Sequence, residues 1–288
     1  GISGLIPGTT YYFCAISFNA VGTSFGSIMS FTTPNAPNVT SVAATGILSS
    51  SVTLNGSANP NGDDTYGYFR YATSNPGTAN DSFGTRSPSS SSSDSFLGSG
   101  TTGVPYSRSI SGLTPGTTYY YCAIARNNVG TSFGEILSFT TSAAAPTTTT
   151  NSATSLSANS AILNGSSRPN GATTSAWFRI ATTSPGTGND TFGTRIPTSG
   201  GTDLGSGNTD VPYSITATGL IPGTTYYYCA ITENTVGKTY GAVLSFTTPN
   251  APVVTTTTAS AITGNSAMLN GTSNPNGSAT TGYFRYST

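Results

Sequence analysis

Apolar and polar residues alternate over short stretches of this chain, and each stretch ends at turn-forming residues. Ser160–Leu163 begins one such stretch, which ends at the turn Arg168–Gly171 and is followed by Ala176–Ile180. Alternation with a period of two predicts β-strands, and no stretch of useful length has the 3.6-residue period of a helix. About seven short strands per domain-sized span, without helices, predict an all-β fold of antiparallel β-sandwiches.

The strand pattern is repeated along the chain. The segment GLIPGTTYYFCAISFNAVGTSFG lies at 4–26, and close copies of it lie at 112–134 and 219–241, with Cys14, Cys122 and Cys229 spaced 108 and 107 residues apart. A period of this size is a whole domain, so the chain is a tandem array of one module. Incomplete copies at both ends predict a piece of a longer array. The predicted segments are the C-terminal half of a repeat (1–34), two complete domains (35–142 and 143–248) and the N-terminal half of a further repeat (249–288).

The repeated residues resemble a known family. Leu-x-Pro-Gly-Thr-x-Tyr, then Ala-x-Asn-x-x-Gly, is similar to the E–F corner and F strand of fibronectin type III domains, and Ser138–Thr141 resembles their G strand. The front half of each repeat is similar to the variant found in large repetitive microbial surface proteins. The resemblance covers the chain outside the long excursions 74–105 and 183–212, although the tryptophan usual on the B strand is missing. In the first complete domain the motif residues are Leu113, Pro115, Gly116, Thr117, Tyr119, Ala125, Asn127 and Gly130.

The resemblance implies a structural role for one tyrosine in each copy. Tyr11, Tyr119 and Tyr226 would form the tyrosine corner, in which the ring is buried and the hydroxyl bonds back to the backbone.

Strand parity predicts which side chains face outward. If Tyr119 points into the core, alternate residues of its strand and of the neighbouring strand point away from it. Either the excursions cover this outer face, or it packs against another chain or module; a repeated aromatic patch with arginines is typical of contact surfaces. The candidate assembly face consists of Tyr68, Arg70, Tyr120, Cys122, Ile124, Trp177, Arg179, Tyr227, Cys229 and Ile231.

Charge is scarce and balanced. Only 6% of the residues are Asp, Glu, Lys or Arg, the formal net charge is zero and Lys238 is the only lysine. No basic patch can form, which argues against nucleic-acid binding. No apolar run is long enough for a membrane span. A surface of Ser, Thr, Asn and Gly favours an extracellular or cell-surface location.

The residues of common active sites are missing or scattered. The chain has no histidine, which removes the usual general base and most zinc sites. Among the carboxylates, only Asp81 and Asp190 recur at equivalent positions, and we expect them to be turn residues, bonded to Arg86 or Arg195. The single cysteine of each copy is a small apolar residue or forms an intermolecular disulfide. We therefore predict no enzyme activity, no catalytic residues, no cofactor and no metal site.

Asn-x-Ser/Thr sequons recur, but chance matches are expected in so Ser/Thr/Asn-rich a chain. The candidate glycosylation sites are Asn38, Asn55, Asn80, Asn164, Asn189, Asn270 and Asn276.

These features predict a structural protein, an extracellular fibre, filament or surface stalk whose partners are other copies of itself. Contacts could be lateral or end to end, or the terminal half-repeats of two chains could complete each other by strand addition. The alternatives are an adhesin or carbohydrate-binding array, with a cell-surface glycan or protein as partner, and an accessory region of a larger secreted enzyme.

Overall fold

Strands with alternating buried and accessible side chains account for nearly all of the regular structure. The computed structural model describes all 288 residues, and its one helical segment is the 3₁₀ turn Ser91–Ser93. No helix is long and apolar enough to cross a membrane. The predicted all-β class is confirmed.

The chain separates into two units, residues 1–142 and 143–288. The predicted domain boundaries after residues 34, 142 and 248 stay predictions. We call 35–142 repeat 1 and 143–248 repeat 2.

Repeat 1 is a two-sheet sandwich. Its three-stranded sheet has the order β10-β6-β5, and its second sheet has the order β12-β11-β7-β8, with β13 also paired to β11 and β9 to β7. All of these pairs are antiparallel. The strands are β5 (Asn38–Thr45), β6 (Ser51–Asn59), β7 (Thr65–Ala72), β8 (Thr85–Ser87), β9 (Ser95–Gly98), β10 (Val104–Ser111), β11 (Thr118–Arg126), β12 (Thr131–Phe133) and β13 (Leu137–Thr140).

Repeat 2 has the same topology. Its sheets have the orders β14-β15-β19 and β17-β16-β20-β21, with β18 also paired to β16 and β22 to β20. The predicted fibronectin type III-like sandwich is present in both complete repeats. The strands are β14 (Thr147–Thr154), β15 (Ser160–Arg168), β16 (Ser175–Ala181), β17 (Thr194–Ile196), β18 (Thr202–Asp203), β19 (Val211–Thr218), β20 (Thr225–Glu233), β21 (Lys238–Tyr240) and β22 (Leu244–Thr247).

The two end segments form antiparallel pairs only, β1 with β4, β2 with β3, and β23 with β24. Their strands are β1 (Thr10–Phe13), β2 (Ile16–Phe18), β3 (Thr23–Phe25), β4 (Met29–Thr32), β23 (Val253–Ser260) and β24 (Met268–Asn274).

One aromatic-rich core lies between the sheets of each complete repeat. The Tyr121 hydroxyl donates to the Val42 carbonyl at 2.6 Å and so ties β11 to β5 across the sandwich; Tyr228 bonds Asn151 in the same way at 2.7 Å. Buried side chains in the two cores include Leu54, Phe69, Tyr106, Tyr121 and Phe139, and Leu163, Phe178, Tyr213, Tyr228 and Phe246.

Candidate functional site

The outer face predicted for assembly is largely covered within its own repeat. Its central side chains point away from the core, as strand parity predicts, and they are buried, so for them the structure has the alternative in which the face is covered. Arg70, Tyr120, Arg179 and Tyr227, at the margin, are half-buried. The buried residues, each at most 3% exposed, are Tyr68, Cys122, Ile124, Trp177, Cys229 and Ile231.

The excursion of each repeat supplies the cover, and we call residues 74–105 and 183–212 the straps. In repeat 1, Ala79 and Phe83 of the strap pack on Tyr68, Cys122 and Ile124. In repeat 2, Phe192 of the strap packs on the equivalent cluster, together with Val243. The sequence left two alternatives open, and the structure has the covered face.

In repeat 1, a fully buried carboxylate holds the strap. Asp94 accepts two hydrogen bonds from Arg86, at 2.7 and 2.8 Å, and one from Arg126 of β11 at 3.2 Å. The side chain of Asp94 is 0% exposed. The Arg86 guanidinium also lies over the Tyr68 ring, 3.9 Å from its centroid. One acidic group thus joins the strap to the strand that it covers.

In repeat 2, a different carboxylate, that of Asp190, joins the strap to the sheet that it covers. Asp190 accepts from Trp177 Nε1 and Arg179 Nε, each at 3.0 Å, and from Lys238 Nζ at 2.7 Å. Burial alone disfavours the charged carboxylate, but the bonds from Lys238, Trp177 and Arg179 outweigh it, so the pKa of Asp190 lies below its usual value. Arg195 covers the Trp177 ring at 4.4 Å.

The arginine partners expected for the two recurring carboxylates are wrong. Asp81 binds Arg70 at 2.9 Å, and Asp190 binds Arg179 rather than Arg195. The turn is made by the preceding residue: the Asn80 side-chain oxygen accepts from the backbone N–H groups two and three residues later, at 2.9 and 3.0 Å.

We expect a stability change in repeat 2 on acidification. Because the folded pKa of Asp190 is lowered, its stabilisation is present above the unfolded value, about 3.9, and is lost as the pH falls below it. Asp190→Asn should cost about 1 kcal/mol at pH 7 and flatten this acid dependence. Urea unfolding followed by Trp177 fluorescence at pH 7 and pH 3 measures both effects. Asp210→Asn, which removes an exposed pair with Arg168, is the control; an equal acid response in both variants would contradict the assignment.

The thiols under the straps are shielded. Burial raises the pKa of Cys122 to about 12 and that of Cys229 to about 11, so both remain protonated at neutral pH. No disulfide is present, and Cys14 is half-buried. Because the thiolate is the reactive form of cysteine, the two buried thiols should be unreactive at neutral pH.

A bulky thiol reagent at pH 8 should therefore label one cysteine per chain, Cys14, within minutes, and the other two only after denaturation. Titration with a chromogenic disulfide, with and without denaturant, counts the thiols. Rapid reaction of all three in the native chain would mean that the straps do not cover the face. A Cys14→Ser chain should show no fast phase.

The three predicted corner tyrosines have equivalent geometry. Each hydroxyl accepts a hydrogen bond from the backbone N–H five residues earlier, at 2.9, 3.0 and 2.9 Å for Tyr11, Tyr119 and Tyr226. The rings of Tyr119 and Tyr226 are buried, and that of Tyr11 is half-buried. These contacts fix the E–F corner.

Most sequon asparagines are used by the fold. The Asn55 amide bonds the Ala43 carbonyl at 2.8 Å, at the irregularity in the β5–β6 register; Asn164 and Asn270 do the same in the other copies. Asn80 and Asn189 shape the straps, and Asn276 binds a linker. Asn38 is the exposed member of the set. A glycan on any of the other six would replace one hydrogen of an amide whose nitrogen donates to a backbone carbonyl.

The linker before each complete repeat is bound by two asparagines of that repeat. In repeat 1, the Asn35 N–H donates to the Asn61 carbonyl at 3.0 Å, and the Asn61 amide donates to the Ala36 carbonyl at 2.7 Å. The Asn127 amide donates to the Asn35 carbonyl at 2.8 Å. We call this arrangement the linker clamp. It gives a structural role to the Asn-Pro-Asn-Gly and Ala-x-Asn-x-x-Gly motifs.

The clamp recurs residue for residue in repeat 2. The Asn170 carbonyl accepts from Ala144 N–H at 2.9 Å, and the Asn170 amide donates to the Ala145 carbonyl at 2.8 Å. The Asn234 amide donates to the Ala144 carbonyl at 2.8 Å. The last copy has the bonds that correspond to those of Asn170. The Asn276 carbonyl accepts from Asn250 N–H at 3.2 Å, and the Asn276 amide donates to the Ala251 carbonyl at 2.6 Å.

Repeat 1 also has an exposed aromatic pair that parity did not single out. Tyr66 and Phe96 lie 5.3 Å apart, centroid to centroid, and are 39% and 60% exposed. Arg126 is the cross-strand partner of Tyr66. In repeat 2, the residues equivalent to Tyr66 and Arg126 are Ser175 and Glu233. This difference between copies is the sequence signal that could have revealed the pair.

Comparisons with known proteins give no functional assignment. No family model and no curated protein matches the chain. Among solved structures, the FN1–FN3 domains of chicken CNTN1 match over 85% of this chain and 76% of theirs, with 16% sequence identity and a TM-score of 0.26. At these values the likeness supports no argument about activity, and the fold assignment rests on the strand order of each repeat.

Proposed function

We propose that this chain is a structural segment of an extracellular fibre, filament or surface stalk, in which fibronectin type III-like repeats are strung end to end as spacers. The linker clamp is the observation that supports this best. A linker that is hydrogen-bonded to the following repeat at consecutive residues loses the freedom of a flexible tether. Short, held linkers suit a part that sets distance and transmits load.

The contacts between copies belong at the ends of the repeats in this proposal. The strap already occupies the outer face of the larger sheet, so lateral association through Cys122 or Cys229 would need the strap to leave. Exposed apolar side chains instead lie in loops at opposite ends of β20: Ile221 before the strand and Val236 after it, 61% and 53% exposed.

Small-angle X-ray scattering of the 288-residue chain tests the spacer role. Four segments of about 30 Å each, laid end to end, would be about 120 Å long, with a radius of gyration of about 35 Å. A compact chain of this length would have a radius of about 19 Å. A value near the lower figure, unchanged on dilution, would rule out an extended spacer.

The chemistry of the surface agrees with an extracellular, non-catalytic part. The chain has no histidine, and no three Cys, Asp or Glu side chains lie together as metal ligands. Solubility then depends on neutral hydroxyl and amide groups. Retention of native chains in the medium or on the cell surface after fractionation would support the location, and recovery only from cytosol would oppose it.

Glycan binding is a second candidate function, favoured by the Tyr66–Phe96 pair alone. Two exposed aromatic rings beside the half-exposed Arg126 offer apolar contact and hydrogen-bond donors together. A glycan array probed with the full chain tests it. Phe96→Ala should abolish any signal, whereas Phe133→Ala, at another exposed aromatic of the same repeat, should leave it intact.

A further inference from the structure

We propose that the linkers are of two mechanical kinds: Thr-Thr-Pro-Asn-Ala-Pro is a stiff joint, and Thr-Thr-Ser-Ala-Ala-Ala-Pro is a hinge. The first kind occurs at 32–37 and 247–252, and the second at 140–146. The inference deepens the proposed spacer function and rests on it for its biological meaning. The bending itself is a property of the linker residues.

In the linker at 32–37, every residue from Thr33 to Ala36 makes a hydrogen bond to a neighbouring element. The Pro34 carbonyl accepts from Gly8 N–H, in the E–F corner before it, at 3.1 Å. The very next residue, Asn35, is held by the clamp of repeat 1 through both its N–H and its carbonyl. Since Pro34 also has a fixed φ, the step from one hold to the next has little freedom.

The Asn35 side chain adds to the stiffness of this joint. Its oxygen accepts from Ala36 N–H at 2.9 Å, and its amide lies directly against Gly8. The same pattern recurs at 247–252. There the Pro249 carbonyl accepts from Gly223 N–H at 3.3 Å, and Asn250 takes the place of Asn35.

The linker at 140–146 keeps the two holds but lacks the proline and the asparagine side chain, and its holds do not fall on adjacent residues. The Ser142 carbonyl accepts from Gly116 N–H at 3.1 Å, as Pro34 does from Gly8, and the clamp holds Ala144 as it holds Asn35. Ala143 is therefore an inserted residue, with neither hold acting on it. Serine replaces the proline, and Ala144 has no amide side chain to pack against the corner.

The physical difference is the number of free backbone dihedrals. Ala143 contributes a φ and a ψ that no hydrogen bond restrains. Ser142 lacks the fixed φ of proline, and its N–H is held only by the Leu48 carbonyl at 3.3 Å. In an array, stiff joints separated by such hinges would give rigid segments that bend at defined places.

Distance measurement on the full chain tests the inference. Ser107→Cys and Ser214→Cys, at equivalent exposed positions of β10 and β19, accept spin labels in a Cys14→Ser background, while Cys122 and Cys229 stay buried. We expect a broad distribution of label-to-label distances. Ser142→Pro with Ala143 deleted and Ala144→Asn, which writes the stiff sequence into this linker, should narrow the distribution by about half.

One further double variant tests the hinge. Asn170→Ala with Asn234→Ala removes the two side-chain bonds of the clamp and leaves the backbone bond from Ala144 N–H to the Asn170 carbonyl, so it should broaden the distribution further. Trp177 fluorescence and circular dichroism verify that each variant is folded. A native distribution as narrow as that of the stiffened chain would overturn the hinge, even if scattering still shows an extended spacer. If the scattering profile is compact but the distance distribution still narrows in the stiffened variant, the spacer function is overturned and the hinge stands.

Discussion

Replacing Asp94 with alanine should destabilise repeat 1 by about 3 kcal/mol. Breaking a buried ion pair by removing one partner leaves the other charge uncompensated, at a typical cost of about 3–5 kcal/mol. We place the effect at the lower end because Arg126 is 43% exposed and can be hydrated. Thermal unfolding of the full chain by circular dichroism measures the loss as an earlier transition for repeat 1.

The chain supplies its own controls for this variant. Trp177, the one tryptophan, reports on repeat 2, so its fluorescence transition should not move. Asp81→Ala removes a carboxylate from the same strap, but its side chain is 47% exposed and its one ion pair is with Arg70. That change should cost about 1 kcal/mol or less. If Asp81→Ala and Asp94→Ala lowered the stability of repeat 1 equally, the burial of Asp94 with Arg86 and Arg126 would add nothing to stability.

Gly84→Ala should release the strap of repeat 1, at a cost of about 3 kcal/mol. Gly84 has a φ of +50°, and an added Cβ would lie 2.2 Å from the Tyr71 carbonyl oxygen. The left-handed conformation costs alanine about 1–2 kcal/mol, and overpacking adds about 1–3 kcal/mol. Since Phe83, beside it, covers Cys122, the strain should raise the labelling rate of that thiol.

Gly77→Ala is the matched control. Gly77 lies in the same strap with a φ of +77°, but a Cβ there would meet no atom within 4 Å. It should pay only the backbone cost and leave Cys122 protected. If Cys122 were labelled equally fast in both alanine variants, the close approach of Gly84 to Tyr71 would not be the contact that holds the strap in place.

The alternation of the strands was sufficient to predict the sandwich and the side of the sheet that each residue takes. Tyr119 and Tyr121 point inward, and Cys122 and Ile124 point to the other face, as the period of two requires. The exposure of that face could not be derived in the same way. Its cover is an excursion of irregular, Ser- and Gly-rich sequence that has no periodicity to read.

The residues that seat the cover were hard to find because they differ between copies. Asp81 and Asp190 stood out by recurrence, but Asp94, the most buried carboxylate of the straps, has no equivalent pairing in repeat 2, where Arg195 bonds the Gly200 carbonyl. A search for recurring residues passes over such a group. The clamp asparagines failed to stand out for the opposite reason: they belong to motifs that already have an ordinary interpretation as turns.

The charged residues beneath the two straps differ, and this difference works against the exchange of straps between repeat 1 and repeat 2 during folding. At the end of the central strand, repeat 1 has Arg126 where repeat 2 has Glu233, and Thr131 where repeat 2 has Lys238. A strap of repeat 1 laid on repeat 2 would set the Asp94 carboxylate towards that of Glu233. A strap of repeat 2 laid on repeat 1 would deprive Asp190 of its lysine. Swapping between adjacent domains is a characteristic failure of tandem repeats, and each crossed pairing would lose an ion pair that the native strap makes, Asp94 with Arg126 or Asp190 with Lys238.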